Sequence, residues 1–447
     1  MKLAALSLLL LIGAALATPT PASDPAEEIK LKRATSKHLR PILEKRQQFS
    51  QGQPVDGKGK GAPILGGTNK QIDLQNPDGL GAQSTDNGVV PNLKWSFSDS
   101  KTRVFPGGWV REQVITDLPA SHDIAAAQQH LSKGAVRQLH WHRVVIFFSF
   151  FNVRMEAYQM QAEWGYVYAG SVRISAVDED GKNQVDDLQV GDIWYFPKGE
   201  AHTIQGLAEE SEYLLAFDDG NFDATGTTFN VDDWLAHTPI DIVAKNFGVS
   251  TDVFKAIPTP DPYIFKSNVT NGTIESPNGQ LTGNSSYVYH LSQVTTPPAP
   301  GGGGTLAKVD SRNFPIATTI AAAIVTLEPK GLRELHWHPN AEEWLYFHQG
   351  TARATIFLGG AIARTFDFSA GDTAVFPDNS GHYVENTSET EKLIWIELYK
   401  SERVADVSLT QWLALTPPDI VAATLKIPLS VVKSLKKEKQ SLLAAQK

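Results

Sequence analysis

Two short phrases of this sequence carry residues of the types that can bind divalent transition metals. Residues 137–142 read RQLHWH and residues 333–338 read RELHWH. Histidines two positions apart on a β-strand project from one face, so His140 pairs with His142 and His336 with His338. Each pair is followed by a Glu-Trp, a Gly-Asp, a Phe-Pro and a further His, which adds Glu163 and His202 to the first set and Glu343 and His382 to the second. Glu342 competes with Glu343, and the Glu-Trp context shared with Glu163 selects Glu343. A lone His is more often structural, but two matching sets of three imidazoles and one carboxylate make metal binding the stronger reading. Such a set leaves a divalent ion net positive and, at six-coordination, with two open positions. It suits Mn or Fe(II) with an anionic oxygen ligand, and Zn also fits.

Arg137 and Arg333 each precede the first ligand by three residues. That offset on a regular strand does not put them on the ligand face, but a bend would. A cation beside a metal suits a small carboxylate substrate; the plainer alternative is a surface or ion-paired Arg. Trp141 and Trp337 lie between the ligands and so point away from the metal, which favours packing over a role in electron transfer.

The ligands require strands to hold them, and the pattern supplies strands. From Trp95 to about Ala208 short β-like runs alternate with turns, followed by a helical stretch, VDDWLAHTPIDIVAKNFG, with Asp232 or Asp233 as candidate cap. From Phe314 the pattern restarts and ends in a matching VSLTQWLALTPPDIVAATL. Glu163 and Glu343, Gly191 and Gly371, and His202 and His382 are all 180 apart, whereas His140 and His336 are 196 apart. The chain is therefore a tandem duplication of an all-β domain, a closed sandwich or small barrel with short helical tails.

The lag changes by 16 between His142 and Glu163, where the first copy carries a block of about 144–161. The block holds Phe147, Phe148, Phe150 and Phe151, an apolar run out of place at a surface turn. A loop insertion is the bland reading. A retained intron is the sharper one: a Val codon opens with GT, a Gln161 codon of CAG closes it, and the length matches a short intron.

Composition is that of a soluble globular protein, with 41% hydrophobic and 20% charged residues. The net charge of -9 argues against nucleic acid or an anionic membrane as partner. Residues 1–17 read as a secretory signal peptide, 18–46 as a propeptide ending near Lys45-Arg46, and 47–94 as an extended N-terminal arm. The first domain is placed at 95–254, a linker at 255–305 and the second domain at 306–440. With no cysteine, thiolate catalysis and Cys-ligated metal sites are excluded. Asn268, Asn271, Asn284 and Asn386 open glycosylation sequons, so a secreted glycoprotein is expected.

These motifs resemble those of the fungal bicupin oxalate decarboxylases. The two HxH…E…H sets with G-D-x-x-x-F-P match the cupin motifs, and VPNLKWSFSDS, GDIWYFP, FDDGNF, DWLAHTP and ADVSLTQWLALTP match the subfamily, over about Gln75 to Leu435. The resemblance implies two cupin barrels (double-stranded β-helix, jelly-roll-like), two Mn(II) per chain, dioxygen as cofactor, and conversion of oxalate to formate and carbon dioxide. It implies a homo-oligomer, a trimer or hexamer. It carries oxalate positioning onto Arg137 and Arg333 and a second-site carboxylate onto Glu397. The family's first-site lid holds a proton-transferring Glu. The matching stretch here, Asp223 to Thr228, has no Glu and offers Asp223 instead. Decarboxylation needs an acid to protonate the carbon left behind. Without one, onward oxidation gives carbon dioxide and hydrogen peroxide, so an oxalate oxidase is the alternative. A non-enzymatic storage bicupin is the further alternative, against which two intact ligand sets speak.

Overall fold

The computed structural model describes residues 85–142, 161–223, 226–270 and 274–446, all within the unit 75–447. The expected signal peptide and propeptide, most of the arm, Asn271 and nearly all of the 144–161 block lie outside the described residues.

Each copy folds into two facing antiparallel sheets. In the first, one sheet runs in the order Val288–Tyr289, Ile193–Phe196, Glu163–Ala169, Glu210–Phe217, Ala125–Ser132, Gly108–Gln113, Thr102–Phe105. The other runs Thr228–Asn230, Val136–His142, Ala201–Gly206, Ser171–Val177, Asn183–Gln189, with Ile264–Phe265 also paired to Val136–His142. The second copy repeats this. Its first sheet is Lys94–Ser96, Asp372–Phe376, Glu343–Gln349, Leu393–Tyr399, Ala321–Leu327, Gly304–Val309. Its second is Ile362–Ser369, Thr351–Gly359, Gly381–Asn386, Leu332–Trp337, Val407–Ser408, with Leu442–Leu443 on Leu332–Trp337.

Strand alternation explains the layers. Val172, Ile174 and Ala176 of Ser171–Val177 are buried while their neighbours are not. The Gly-Asp pairs make tight turns: Gly191 and Gly371 have φ of 98° and 92°. The following Asp192 and Asp372 carboxylates accept from the Gln189 and Ser369 amides. Gly165 is required by packing, since a Cβ there would lie 2.1 Å from the Trp194 ring.

Three cores result. One fills each barrel, and the third lies between them, where Leu118, Trp164, Tyr195 and Ala216 of the first copy pack with Phe314, Ile320, Trp344 and Leu398 of the second. Polar pairs cross the same junction. Trp344 Nε1 donates to Gln113 Oε1 (2.9 Å) and Gln128 Nε2 to the Tyr346 hydroxyl (2.7 Å).

The segments preceding each barrel are exchanged. Lys94–Ser96 leads into the first copy but edges the second, pairing with Asp372–Phe376. Val288–Tyr289, from the segment read as a linker, edges the first. The arm thus contributes Val90 and Leu93 to the core of the second barrel. The helix expected to be capped by Asp232 or Asp233 starts at Val231, with Asn230 as N-cap and no side-chain capping bond. The two carboxylates sit in its first turn instead, where the helix dipole favours them.

Candidate metal centres

In the first copy His140 and His142 lie on Val136–His142, His202 on the neighbouring Ala201–Gly206, and Glu163 opens the strand Glu163–Ala169 of the facing sheet. His202 pairs directly with His140. All four side chains are buried, and their ligating atoms lie within 4.8 Å of one another. Glu163 Oε2 is 3.1 Å from His142 Nε2, 3.3 Å from His202 Nε2 and 4.0 Å from His140 Nε2. Trp194 Nε1 donates to the other oxygen, Oε1, at 3.0 Å, so the indole aims Oε2 at the imidazoles.

The second centre repeats the arrangement with His336, His338, Glu343 and His382, also buried. Glu343 Oε2 is 2.9 Å from His382 Nε2 and 3.3 Å from His338 Nε2. His336 Nδ1 donates to the Glu334 carbonyl (2.6 Å), His338 Nδ1 to that of Ala405 (2.7 Å) and His382 Nδ1 to that of Ser380 (2.9 Å). In the first centre His140 and His202 make the same bond, to Gln138 and Glu200 carbonyls. Such bonds fix the tautomer and leave Nε2 with a lone pair.

These lone pairs test the metal reading. His336 Nε2 and His382 Nε2 are 3.2 Å apart, both acceptors, with the unpartnered Glu343 Oε2 beside them. Converging acceptors repel unless a cation lies among them, so the residues fit a divalent ion. Burial holds His140 and His336 neutral, well below the usual imidazole range, with the adjacent Arg137 and Arg333 acting in the same sense. Burial opposes ionisation of Glu163 and Glu343, but the facing imidazoles hold both carboxyls well below the usual range. Neutral His and ionised Glu are the ligand forms.

The arginines reach the ligand face through a bulge. His202 pairs with His140, but Ile204 pairs with Arg137, so the ligand strand carries one extra residue. The same irregularity separates Arg333 from His336. A bulge resets alternation and re-aims the side chain. Arg137 is buried, donates to Asn230 Oδ1 (3.2 Å) and lies 3.8 Å over the Tyr263 ring. Arg333 is fully buried. Its Nη2 donates to Asp406 Oδ2 (2.9 Å), while Nε and Nη1 make no hydrogen bond and Nε lies 3.8 Å from Glu397 Oε1.

A model of the cupin family, described as "Cupin", matches residues 157–254 and 296–433. A probable oxalate decarboxylase of Arthroderma benhamiae is 60% identical over 394 residues, covering 88% of this chain and 93% of the relative. An oxalate decarboxylase of the same fungus is 55% identical over 415 residues, covering 88% and 94%. The chain is a bicupin of the oxalate decarboxylase family. A solved structure of oxalate decarboxylase from Bacillus subtilis superimposes with a TM-score of 0.79 at 41% identity, covering 88% of this chain and 98% of that one. Another solved structure of the same bacterial enzyme, 40% identical with a TM-score of 0.79, comes from work on the EPR fine structure parameters of that enzyme's Mn(II) centres.

The two centres of this bicupin are not equivalent. Glu397 lies beside the second, where it accepts from Trp395 Nε1 (3.1 Å) and the Tyr399 hydroxyl (2.9 Å). Burial, then repulsion by Glu343, pushes its carboxyl up to about 7. Tyr399 Oη also lies 3.3 Å from His338 Nε2. Strand register places Leu215 and Phe217 at the corresponding positions of the first copy. Asp223 is exposed, at the turn after Glu210–Phe217, and makes no hydrogen bond to a first-centre ligand. Burial raises its carboxyl, and Asp117 and Asp219 add to that. Glu342, the rival of Glu343, turns away from the metal ligands. It accepts from the Asp123 amide (3.2 Å) and faces His122 Nε2 (3.3 Å). Trp141 and Trp337 face outward, against Phe229 and Trp234 in one copy and Trp412 in the other. Sequence reasoning missed Trp194, Tyr399, Asn230 and Asp406, which hold Glu163, Glu397 and the arginines. Only pairing register could have found them.

Proposed function

We propose that this chain decarboxylates oxalate to formate and carbon dioxide, with Mn(II) in each centre and dioxygen as cofactor. The observation that carries the reading is a buried guanidinium beside each three-His, one-Glu cluster. Bound Mn(II) supplies Lewis acidity and one-electron chemistry. Arg137 and Arg333 orient a carboxylate of oxalate by charge-assisted hydrogen bonds; the unpartnered Nε and Nη1 of Arg333 are donors suited to it. Cleavage of the carbon–carbon bond releases carbon dioxide, and one proton delivered to the remaining carbon completes formate. Glu397 and Asp223 are the carboxyl groups offered for that transfer.

The exposed position of Asp223 favours a second reading, an oxalate oxidase that releases hydrogen peroxide. Feeding oxalate to the Mn-loaded protein and measuring formate against peroxide separates the two. Asp223→Ala should lower formate output at least about tenfold if Asp223 is the acid; unchanged output removes it from the reaction.

The remaining readings belong with this one. Residues 1–17 direct secretion. The chain forms a homo-oligomer, a trimer or hexamer, supported by the exposed apolar side chains Trp234, Ile242, Phe247 and Val253 of the first copy and Leu335, Phe357 and Trp412 of the second. Light scattering of the purified protein tests the oligomer.

A further inference from the structure

The last long strand of each barrel is followed by a segment that crosses back to the ligand strand. In the first copy it links Phe217 to Thr228, which pairs with His142; in the second it links Tyr399 to Asp406, beside Val407 paired with Trp337. Register makes Thr228 and Asp406 equivalent, so the crossing spans 218–227 in one copy and only 400–405 in the other.

The short crossing is tied along its length. Asn340 Nδ2 donates to Ser401 Oγ (2.8 Å) and to the Arg403 carbonyl (3.0 Å). Ser311 N donates to the Glu402 carbonyl (3.0 Å), and Val404 N to Asp310 Oδ2 (3.2 Å). Val404 is buried against Ala321, Ala341 and Tyr399. The Ala405 carbonyl accepts from the ligand His338, and Asp406 is held by Arg333, Lys308 and Lys439. One of these ties recurs in the first copy, where Ile115 N donates to the Gly220 carbonyl (2.8 Å), but the Asp310 grip does not. Strand register places Val114 where the second copy has Asp310. Asn340 lies in the turn after the ligand pair; the matching turn of the first copy lies outside the described residues.

We propose that Ser401–Asp406 is a fixed cover over the second centre, clamped by Asn340 and Asp310, so that metal held there exchanges with solution more slowly than metal in the first centre. The inference rests on the metal reading of both clusters. It assigns Asn340 and Asp310 positioning roles.

Two measurements on the full-length, Mn-loaded protein test it. Release of Mn to excess EDTA should be biphasic, with the slow phase absent from His382→Ala. Asn340→Ala, a change at an exposed side chain, removes two hydrogen bonds and should speed the slow phase about tenfold while leaving the fast phase alone. Amide exchange of the peptide spanning 400–406 should be slow in the parent and accelerate in Asn340→Ala and in Asp310→Val, which installs the residue of the first copy. A slow phase that survives in His382→Ala, or a release rate and exchange rate unmoved by Asn340→Ala, overturns the clamp. Protein that binds no Mn but shows the amide effect would instead sink the metal reading and leave the cover standing as structure alone.

Discussion

At the scale of the residue, the ligands were legible because the sequence states them twice. Two copies of one set exclude coincidence, and the Glu-Trp context chose Glu343 over Glu342. What spacing could not give was the face occupied by Arg137 and Arg333, because one extra residue in each ligand strand reverses the alternation that spacing assumes. Nor could repetition find Trp194, whose indole aims Glu163 by a single hydrogen bond. Partners of this kind typically contribute 10–100-fold in metal affinity. Trp194→Phe should therefore weaken Mn binding at one of the two sites by about tenfold or more and leave the other unchanged, as read by titration of the metal-free protein. The sequons divide by the same local detail. Asn386 is fully buried, and its Nδ2 donates to the carbonyls of Leu327, Glu328 and Glu391. A glycan there is incompatible with those bonds, whereas Asn268 and Asn284 are exposed. Glycopeptide mapping of protein produced in a glycosylating host should find sugar at Asn268 or Asn284 and bare Asn386.

At the scale of the element, the period-two runs announced the barrel strands, but the exchanged edge strands were silent. Lys94–Ser96 and Val288–Tyr289 span three and two residues, too short for any periodicity to register. The sequence therefore read the first as the junction of arm and first domain, and the second as linker. The 144–161 block was visible only by subtraction between copies. Its flanks are firmly placed: the His142 carbonyl accepts from Gly199 N (3.1 Å), while Ala162 N donates to Asp218 Oδ1 (2.8 Å). In the second copy four residues, 339–342, close the same turn between Trp337-His338 and Glu343. The barrel then does not need the block. A chain lacking residues 144–159 should fold with a melting temperature at or above that of the parent and bind two Mn per chain. Loss of one Mn on deletion would show that the block belongs to the first centre. Transcript sequencing decides separately whether it is encoded in the mature message.

At the scale of the whole molecule, the two barrels share a core, and that junction carries a buried acid whose titration can be followed. Asp218 is 1% exposed, accepts from Ala162 N, and lies beside Thr319 of the second copy. Burial pushes its carboxyl up to about 6 despite the hydrogen bonds from Thr319 and Ala162 that pull the other way. The folded state therefore keeps a proton that the unfolded chain, with an ordinary Asp, releases near pH 4. Where the native state binds more protons, stability falls as pH rises, so this group's contribution declines between about pH 4 and about pH 6 and is flat on either side. The shift of roughly two units corresponds to about 3 kcal/mol between those limits. Asp406 works in the opposite direction, held well below its usual range because Arg333, Lys308 and Lys439 outweigh its burial, and its stabilisation is lost on acidification. A bare comparison of melting temperatures at two pH values thus mixes both. The variant Asp218→Asn separates them, since it cannot ionise yet keeps a carbonyl oxygen for Ala162 N. Relative to the parent it should gain stability at pH 7 compared with pH 4.5, by about 2 kcal/mol in denaturant unfolding. Equal pH dependence in parent and variant would mean that the Asp218 carboxyl ionises freely in the folded protein, and that the junction admits water where the shared core is drawn closed.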